Sequence, residues 1–295
     1  MVGGFFGSGK STLVAGIDDP PNILYFNVEG KDDTMCEQLG IENVFAPPLD
    51  VAGVTGFGYQ KWQLYERMTE ILIRIPPGRF TTVIFDGIGI LQEGMQKEVE
   101  RNWLKHGLKE KQASGQMPGG VWPAVGDVFN SFFTVARKAG VKVFGLTTEL
   151  KSQWGKEGPL LNKFEMKGVS ILHKMSKLSL IMVKGHPQYL GAPSALVLKE
   201  ALGRYEWVPG EGLKVVRRIP PRLPLATMKE VYRYLREPAD YANLKPNEIP
   251  SEDEMAPFER VLSKDQLGAM RDLLVAARLG PIEGAVEEDR EDGGS

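Results

Sequence analysis

The chain carries one cysteine, Cys36, and only three histidines. That excludes an intramolecular disulfide framework and a thiolate metal cage, and it leaves few imidazole groups to act as ligands or bases. Net charge is nearly absent as well. The balance of 36 basic against 38 acidic side chains gives −2, so any surface that attracts a polyanion has to be a local patch. No apolar run reaches the roughly 18 residues needed to span a bilayer, and no charged leader precedes an apolar signal segment. These absences predict a soluble protein of a reducing, cytoplasmic compartment with no membrane association. No internal repeat is present.

What the sequence does have is alternation. At 42% apolar residues it can build a sizeable core, and short apolar runs bounded by turn residues alternate with longer amphipathic stretches. That pattern predicts the α/β class: a mainly parallel sheet with helices on both faces. Expected strands are Ile23 to Val28, Thr82 to Asp86, Val141 to Thr147, Leu178 to Val183 and Ala195 to Leu198. Expected helices run from Ser11 to Gly16, Tyr59 to Ile73 and Pro123 to Lys138, the last closed by Gly140. The glycine-rich stretch Gln112 to Gly120 reads as a mobile excursion between two helices.

The pattern changes after about Gly203. Tyr205-Glu206-Trp207-Val208 and Leu213-Lys214-Val215-Val216, joined through Pro209-Gly210, predict a hairpin added to the sheet edge. A proline-rich surface extension follows, carrying a helix from about Thr227 to Arg236. Ser263 and Gln266 form a capping box for a last helix ending at Gly280, and Glu287 to Asp292 form an acidic, disordered tail. The expected division is a core over 1–204, the hairpin and proline-rich extension over 205–250, the C-terminal helix over 251–282 and the tail over 283–295.

Three segments carry chemistry. Gly4-Phe5-Phe6-Gly7-Ser8-Gly9-Lys10-Ser11 fits the G-x-x-x-x-G-K-[ST] phosphate-loop pattern, and the apolar Leu13-Val14-Ala15 supplies the helix the motif requires. The glycines let backbone N–H groups turn inward as an anion nest, and the helix terminus adds partial positive charge. Gly4, Gly7, Ser8, Gly9, Lys10, Ser11 and Thr12 are therefore the expected ATP-binding set, with Lys10 on the β- and γ-phosphates and Ser11 on Mg²⁺. Thr82-Val83-Ile84-Phe85-Asp86 is a buried strand ending in a carboxylate, placing Asp86 as the second magnesium-associated residue. Glu29, just after the strand that follows the loop helix, stands where open α/β sheets keep their sites and is the candidate to polarise a water.

In this order the motifs, with the strand Val143 to Thr148 after them, resemble the RecA-like P-loop ATPases, and most of all the compact bacteriophage members associated with single-strand annealing and recombination. The resemblance covers about Met1 to Arg204. It implies Lys10 as the phosphate lysine, Ser11 as the magnesium hydroxyl, Glu29 as the catalytic glutamate, Asp86 as the Walker B aspartate, and Thr147 or Thr148 as the γ-phosphate sensor. It also implies that Glu149 to Lys167 is a DNA-binding loop, with Lys151, Lys156, Lys163 and Lys167 for phosphates and Trp154 for base stacking. The implied partners are single-stranded DNA, further copies of the chain in an oligomer or filament, and a single-strand-binding or replication protein.

Two departures accompany the likeness. Only Met1 and Val2 precede Gly3-Gly4, so the strand feeding the loop is either short or begins upstream. Where related motors carry a basic finger, Lys199 is followed by Glu200 and Ala201, with Arg204 displaced, so no trans-acting finger is assigned. Other functions compete. A small-molecule kinase needs an arginine-rich lid, and Gln112 to Gly120 holds no arginine. Ser114-Gly115-Gln116 is a faint echo of an ABC-type signature. A non-hydrolysing, nucleotide-dependent interaction module is the remaining alternative.

Overall fold

The computed structural model describes residues 1–5, 7–28, 34–45, 57–102, 104–106, 121–155, 158–167, 172, 175–183, 193–202, 204–208 and 212–258. The expectations for Phe6, Glu29, Lys156, Gln112 to Gly120, the helix ending at Gly280 and the acidic tail lie outside them. The strands are β1 (Val2–Gly3), β2 (Ile23–Asn27), β3 (Val44–Phe45), β4 (Thr82–Asp86), β5 (Val143–Thr148), β6 (Leu150–Gly155), β7 (Gly158–Met166), β8 (Leu178–Val183), β9 (Ser194–Glu200), β10 (Arg204–Val208), β11 (Gly212–Val216) and β12 (Arg222–Leu223). The α-helices are α1 (Lys10–Ala15), α2 (Thr34–Gln38), α3 (Phe57–Arg74), α4 (Ile88–Arg101), α5 (Val121–Lys138), α6 (Met228–Arg236) and α7 (Glu252–Met255). None of the described helices is long and apolar enough to cross a membrane.

Eight strands form one sheet in the order β12-β9-β8-β1-β5-β4-β2-β3. From β8 to β3 every pairing is parallel, while β9 runs antiparallel to β8 and to β12. The fold is α/β with a mainly parallel sheet and helices on both faces, as the sequence predicts, with the loop-bearing β1 at the middle and β4 separated from it by β5.

Period-two alternation explains the layering. On β2 and β4, Leu24, Phe26, Val83 and Phe85 enter one core, which α3, α4 and α5 cover. Ile23, Tyr25 and Ile84 point the other way into a second core, closed by Leu13 and Val14 of α1 and by Met228, Val231 and Tyr234 of α6. Both faces are buried, which is why these strands read as unbroken apolar runs. In the first core Phe26 stacks on Phe85 with ring centroids 5.2 Å apart, and Phe132 packs on Phe85 at 5.2 Å. Each fully buried ring of this kind stabilises the fold by about 1.5–3 kcal/mol relative to exposure. Gly140, at φ 94, ends α5 as expected and donates to the Arg137 carbonyl at 2.9 Å.

Two expectations are corrected. The β10–β11 hairpin forms, but as its own two-stranded sheet and not on the sheet edge. That edge of β9 is already taken by β12, whose approach is fixed by a 2.8 Å bond from the Val197 N–H to the Pro221 carbonyl. Prolines suit an edge because they have no N–H to donate inward. The segment from Glu149 to Lys167 is not a loop. It folds as the β6–β7 two-stranded ribbon.

Strand β1, of two residues, lies between two six-residue strands, β5 and β8. A cavity of about 540 Å³ opens there, lined by Met1, Phe144, Leu172, Leu178 and Leu235 among others. The chain divides into two compact units. One comprises Met1–Leu150 with Met166–Pro250, and the other Lys151–Glu165 with the chain from Ser251 onward. Within the second, Lys163 Nζ donates to the Ala256 carbonyl at 2.6 Å.

Candidate functional site

The phosphate loop leaves β1 at Gly3 and enters α1 at Lys10. Gly7 and Gly9 have φ of 72° and 85°, a left-handed geometry that side chains resist and that turns backbone N–H groups into the loop. Gly4 is needed for space instead, because a Cβ there would lie 2.5 Å from Ser8 Oγ. Ser8 Oγ is itself buried without a hydrogen-bond partner, an orphaned hydroxyl inside the loop. Lys10 is 5% exposed, and its ammonium folds back to donate to the Phe5 carbonyl at 2.9 Å.

Asp86 closes β4 and is 2% exposed. Ser11 Oγ donates to its Oδ2 at 2.7 Å, so the first turn of α1 is tied directly to the end of β4. Tyr25, from the neighbouring β2, donates its hydroxyl to the same oxygen at 2.8 Å. Thr147, from β5 on the other side, donates to Oδ1 and accepts from the Gly87 N–H at 2.9 Å. Burial, and then the Asp86 charge, push the Tyr25 phenol far above the usual tyrosine range, so it remains a donor at any working pH.

This set fits a magnesium nucleotide. Among the described residues no group of three or more His, Cys, Asp or Glu is placed to hold a metal. Magnesium does not need such a cage, since it keeps several waters and uses one or two protein ligands with substrate phosphates. Ser11 and Asp86 are the pair that would hold it, and the loop glycines, Ser8 and Lys10 would hold the phosphates.

Because β5 lies between β1 and β4, its carboxyl end reaches the same edge as the loop and Asp86. Thr147 and Thr148 are both 0% exposed, but they do different things. Thr147 bonds Asp86, whereas the Thr148 hydroxyl donates to the Lys167 carbonyl. Asn27, the last residue of β2, pairs in register with Asp86, so β2 also ends level with the site. Glu29 follows two residues later, outside the described residues.

Of the lysines assigned to DNA, Lys151, Lys163 and Lys167 are among the described residues, and each has a partner. Lys167 Nζ pairs with Glu93 of α4 at 2.6 Å, and its stem crosses Gly89, where a Cβ would be 3.1 Å from Lys167 Cδ. Lys151 pairs with Glu165 at 3.0 Å, an exposed pair on the ribbon. Lys163 is held by the Ala256 carbonyl. Trp154 lies on β6, with its side chain outside the described part of the molecule.

Sequence reasoning missed Tyr25. The available signal was a hydroxyl inside a fully buried strand, Ile-Leu-Tyr-Phe-Asn, because a buried tyrosine hydroxyl needs a partner.

No protein-family model matches the chain, and no curated protein matches it. Among solved structures it is similar to the KaiC-like protein PH0186 from the hyperthermophilic archaeon Pyrococcus horikoshii OT3, at 12% identity over 72% of this chain and 87% of that one, with a TM-score of 0.32. The fold assignment rests on strand order and register, and the site on its own geometry.

Proposed function

We propose that this chain is a magnesium-dependent ATPase. The observation that carries the proposal is the 2.7 Å bond from Ser11 to Asp86, which joins a complete phosphate loop to the carboxylate at the end of β4. When bound, magnesium supplies charge neutralisation at the β- and γ-phosphates. The chain's own residues do the rest. The loop N–H groups and Ser8 Oγ bind phosphate oxygens, and Lys10, whose ammonium already points back over the loop to the Phe5 carbonyl, binds the phosphate anion through charge-assisted hydrogen bonds. Asp86 keeps Ser11 oriented, and Thr147 links Asp86 to the Gly87 N–H. Glu29 is the residue we assign to orient and deprotonate the attacking water.

The finer reading is action on single-stranded DNA in recombination, annealing or replication, by an assembly of several copies. What supports it is the β6–β7 ribbon, which follows the site strand in the chain: β5 ends at Thr148 and β6 begins at Leu150. The ribbon carries Lys151, whose ion pair is exposed on both sides and therefore weak, and Leu161, 89% exposed. Phosphate release from ATP by the purified chain, with and without single-stranded DNA and magnesium, tests both levels. No magnesium-dependent release rejects the ATPase, and release that ignores DNA rejects the finer reading.

A further inference from the structure

Tyr25 is the third residue of a strand in which every residue is buried, and it is itself 1% exposed. Alternation sends it to the α1 side of the sheet, beside Ile23 and below the phosphate loop. A phenol in that position costs stability unless its hydroxyl is paired, and phenylalanine would fill the same apolar volume without that demand. The hydroxyl is spent on Asp86 Oδ2, at 2.8 Å in a buried setting.

The arrangement around Asp86 is two-sided. In the sheet, β4 has β2 and β5 as its neighbours. Each supplies one hydroxyl: Tyr25 from β2 reaches Oδ2, and Thr147 from β5 reaches Oδ1. Donors on both oxygens stop the carboxylate from rotating about its last bond. Both come from the rigid sheet, unlike the third donor, Ser11, which belongs to the loop helix and is the residue expected to turn toward the metal. When Ser11 does so, the sheet-borne hydroxyls still fix the direction in which Asp86 faces. Outer-shell donors of this kind typically set metal affinity by orienting a ligand in advance.

We infer that Tyr25 is a positioning residue for the magnesium site, holding the Asp86 carboxylate in its metal-receiving orientation. The inference rests on the reading of this site as one for magnesium and ATP. It makes Tyr25 a residue whose hydroxyl, and not whose ring, matters to metal affinity.

The test compares wild type with Tyr25→Phe, which keeps the ring and removes the donor. A fluorescent ATP analogue is titrated in EDTA and at increasing magnesium, and Mn²⁺ binding to the protein–nucleotide complex is followed by electron paramagnetic resonance. Tyr25→Phe should raise the half-saturating metal concentration by about 10–100-fold and leave nucleotide affinity in EDTA unchanged. Saturating metal should restore most of the turnover. An unchanged metal midpoint overturns the inference, as does equal weakening with and without metal, which would mean the loop itself was damaged. Tyr25→His restores an N–H donor on a ring and should fall between the two. If Tyr25→Phe does not fold, a folded Tyr25→His with the wild-type midpoint supports the role, and one with no metal response overturns it. Wild-type protein that binds nucleotide identically with and without metal would instead remove the magnesium reading on which the inference stands.

Discussion

Gly145 offers a test of whether the packing beneath the phosphate loop controls the site. It lies in β5, directly under α1, and a Cβ built there would stand 2.5 Å from Val14 Cγ1 and 3.1 Å from Ile84 Cγ1. An ordinary carbon–carbon contact is about 3.5–4.0 Å, so α1 has to lift by roughly 1 Å or Val14 has to leave its rotamer. Overpacking of this size costs about 1–3 kcal/mol. In a chain of this length that lowers the melting temperature by about 1.5–2 °C for every kcal/mol.

Because α1 carries Lys10 and Ser11, lifting it moves both away from Asp86, and a 1 Å misplacement costs turnover on the order of 100-fold. Thermal melts and ATPase rates of Gly145→Ala measure the two effects. Adding Val14→Ala removes the atom in the way, so the double variant should regain stability and turnover relative to Gly145→Ala alone, with a coupling of about 0.5–3 kcal/mol. Strict additivity of the two substitutions would refute the reasoning.

Asp86→Asn places an amide N–H₂ against hydroxyl donors that now face a carboxylate; nucleotide binding in EDTA should persist while most magnesium-dependent turnover is lost, checked by parallel binding and rate titrations. Asp18 accepts from Thr81 at 2.7 Å and Thr82 at 2.6 Å, and also from Asn22 and the Asp19 N–H. Burial raises its carboxyl, but those donors together bring it below its ordinary 3.8. A depressed folded value means the stabilisation is full above about pH 4 and is lost as pH falls through that value. Asp18→Asn should therefore melt below wild type at neutral pH, with the gap narrowing below pH 4; a gap independent of pH rejects the assignment. On the ribbon, Lys151→Gln should reduce the salt slope of single-strand binding by about 0.7, since one phosphate fewer is neutralised, and Trp154→Ala should cost about 1–3 kcal/mol of stacking. Unchanged affinity in both, with folding intact, leaves an ATPase whose partner is not DNA.

Much of the core was legible because its strands are buried on both faces. Thr82 to Asp86 and Leu178 to Val183 fall where the apolar runs place them, and the phosphate loop is a backbone device that needs its glycines in sequence. The ribbon was not legible as strands. Its alternation in Lys163-Phe164-Glu165-Met166-Lys167 is short, and Gly158 and the left-handed Asn162 look like loop residues. The edge strand β12 is two residues long among prolines, below the length at which periodicity carries information. The site's polar contacts were harder still, because which threonine meets Asp86 depends on a register that alternates at every residue: Thr147 faces the carboxylate and Thr148 faces the Lys167 carbonyl.

The central claim is that the loop from Gly4 to Ser11 and the carboxylate of Asp86 form one magnesium-dependent ATP site. The most direct measurement is phosphate release from ATP by wild type and Lys10→Ala, with magnesium and in EDTA, on samples shown by melting to be equally folded. The account predicts release by wild type only with magnesium, and none above background for Lys10→Ala. Equal release by the two proteins would contradict it.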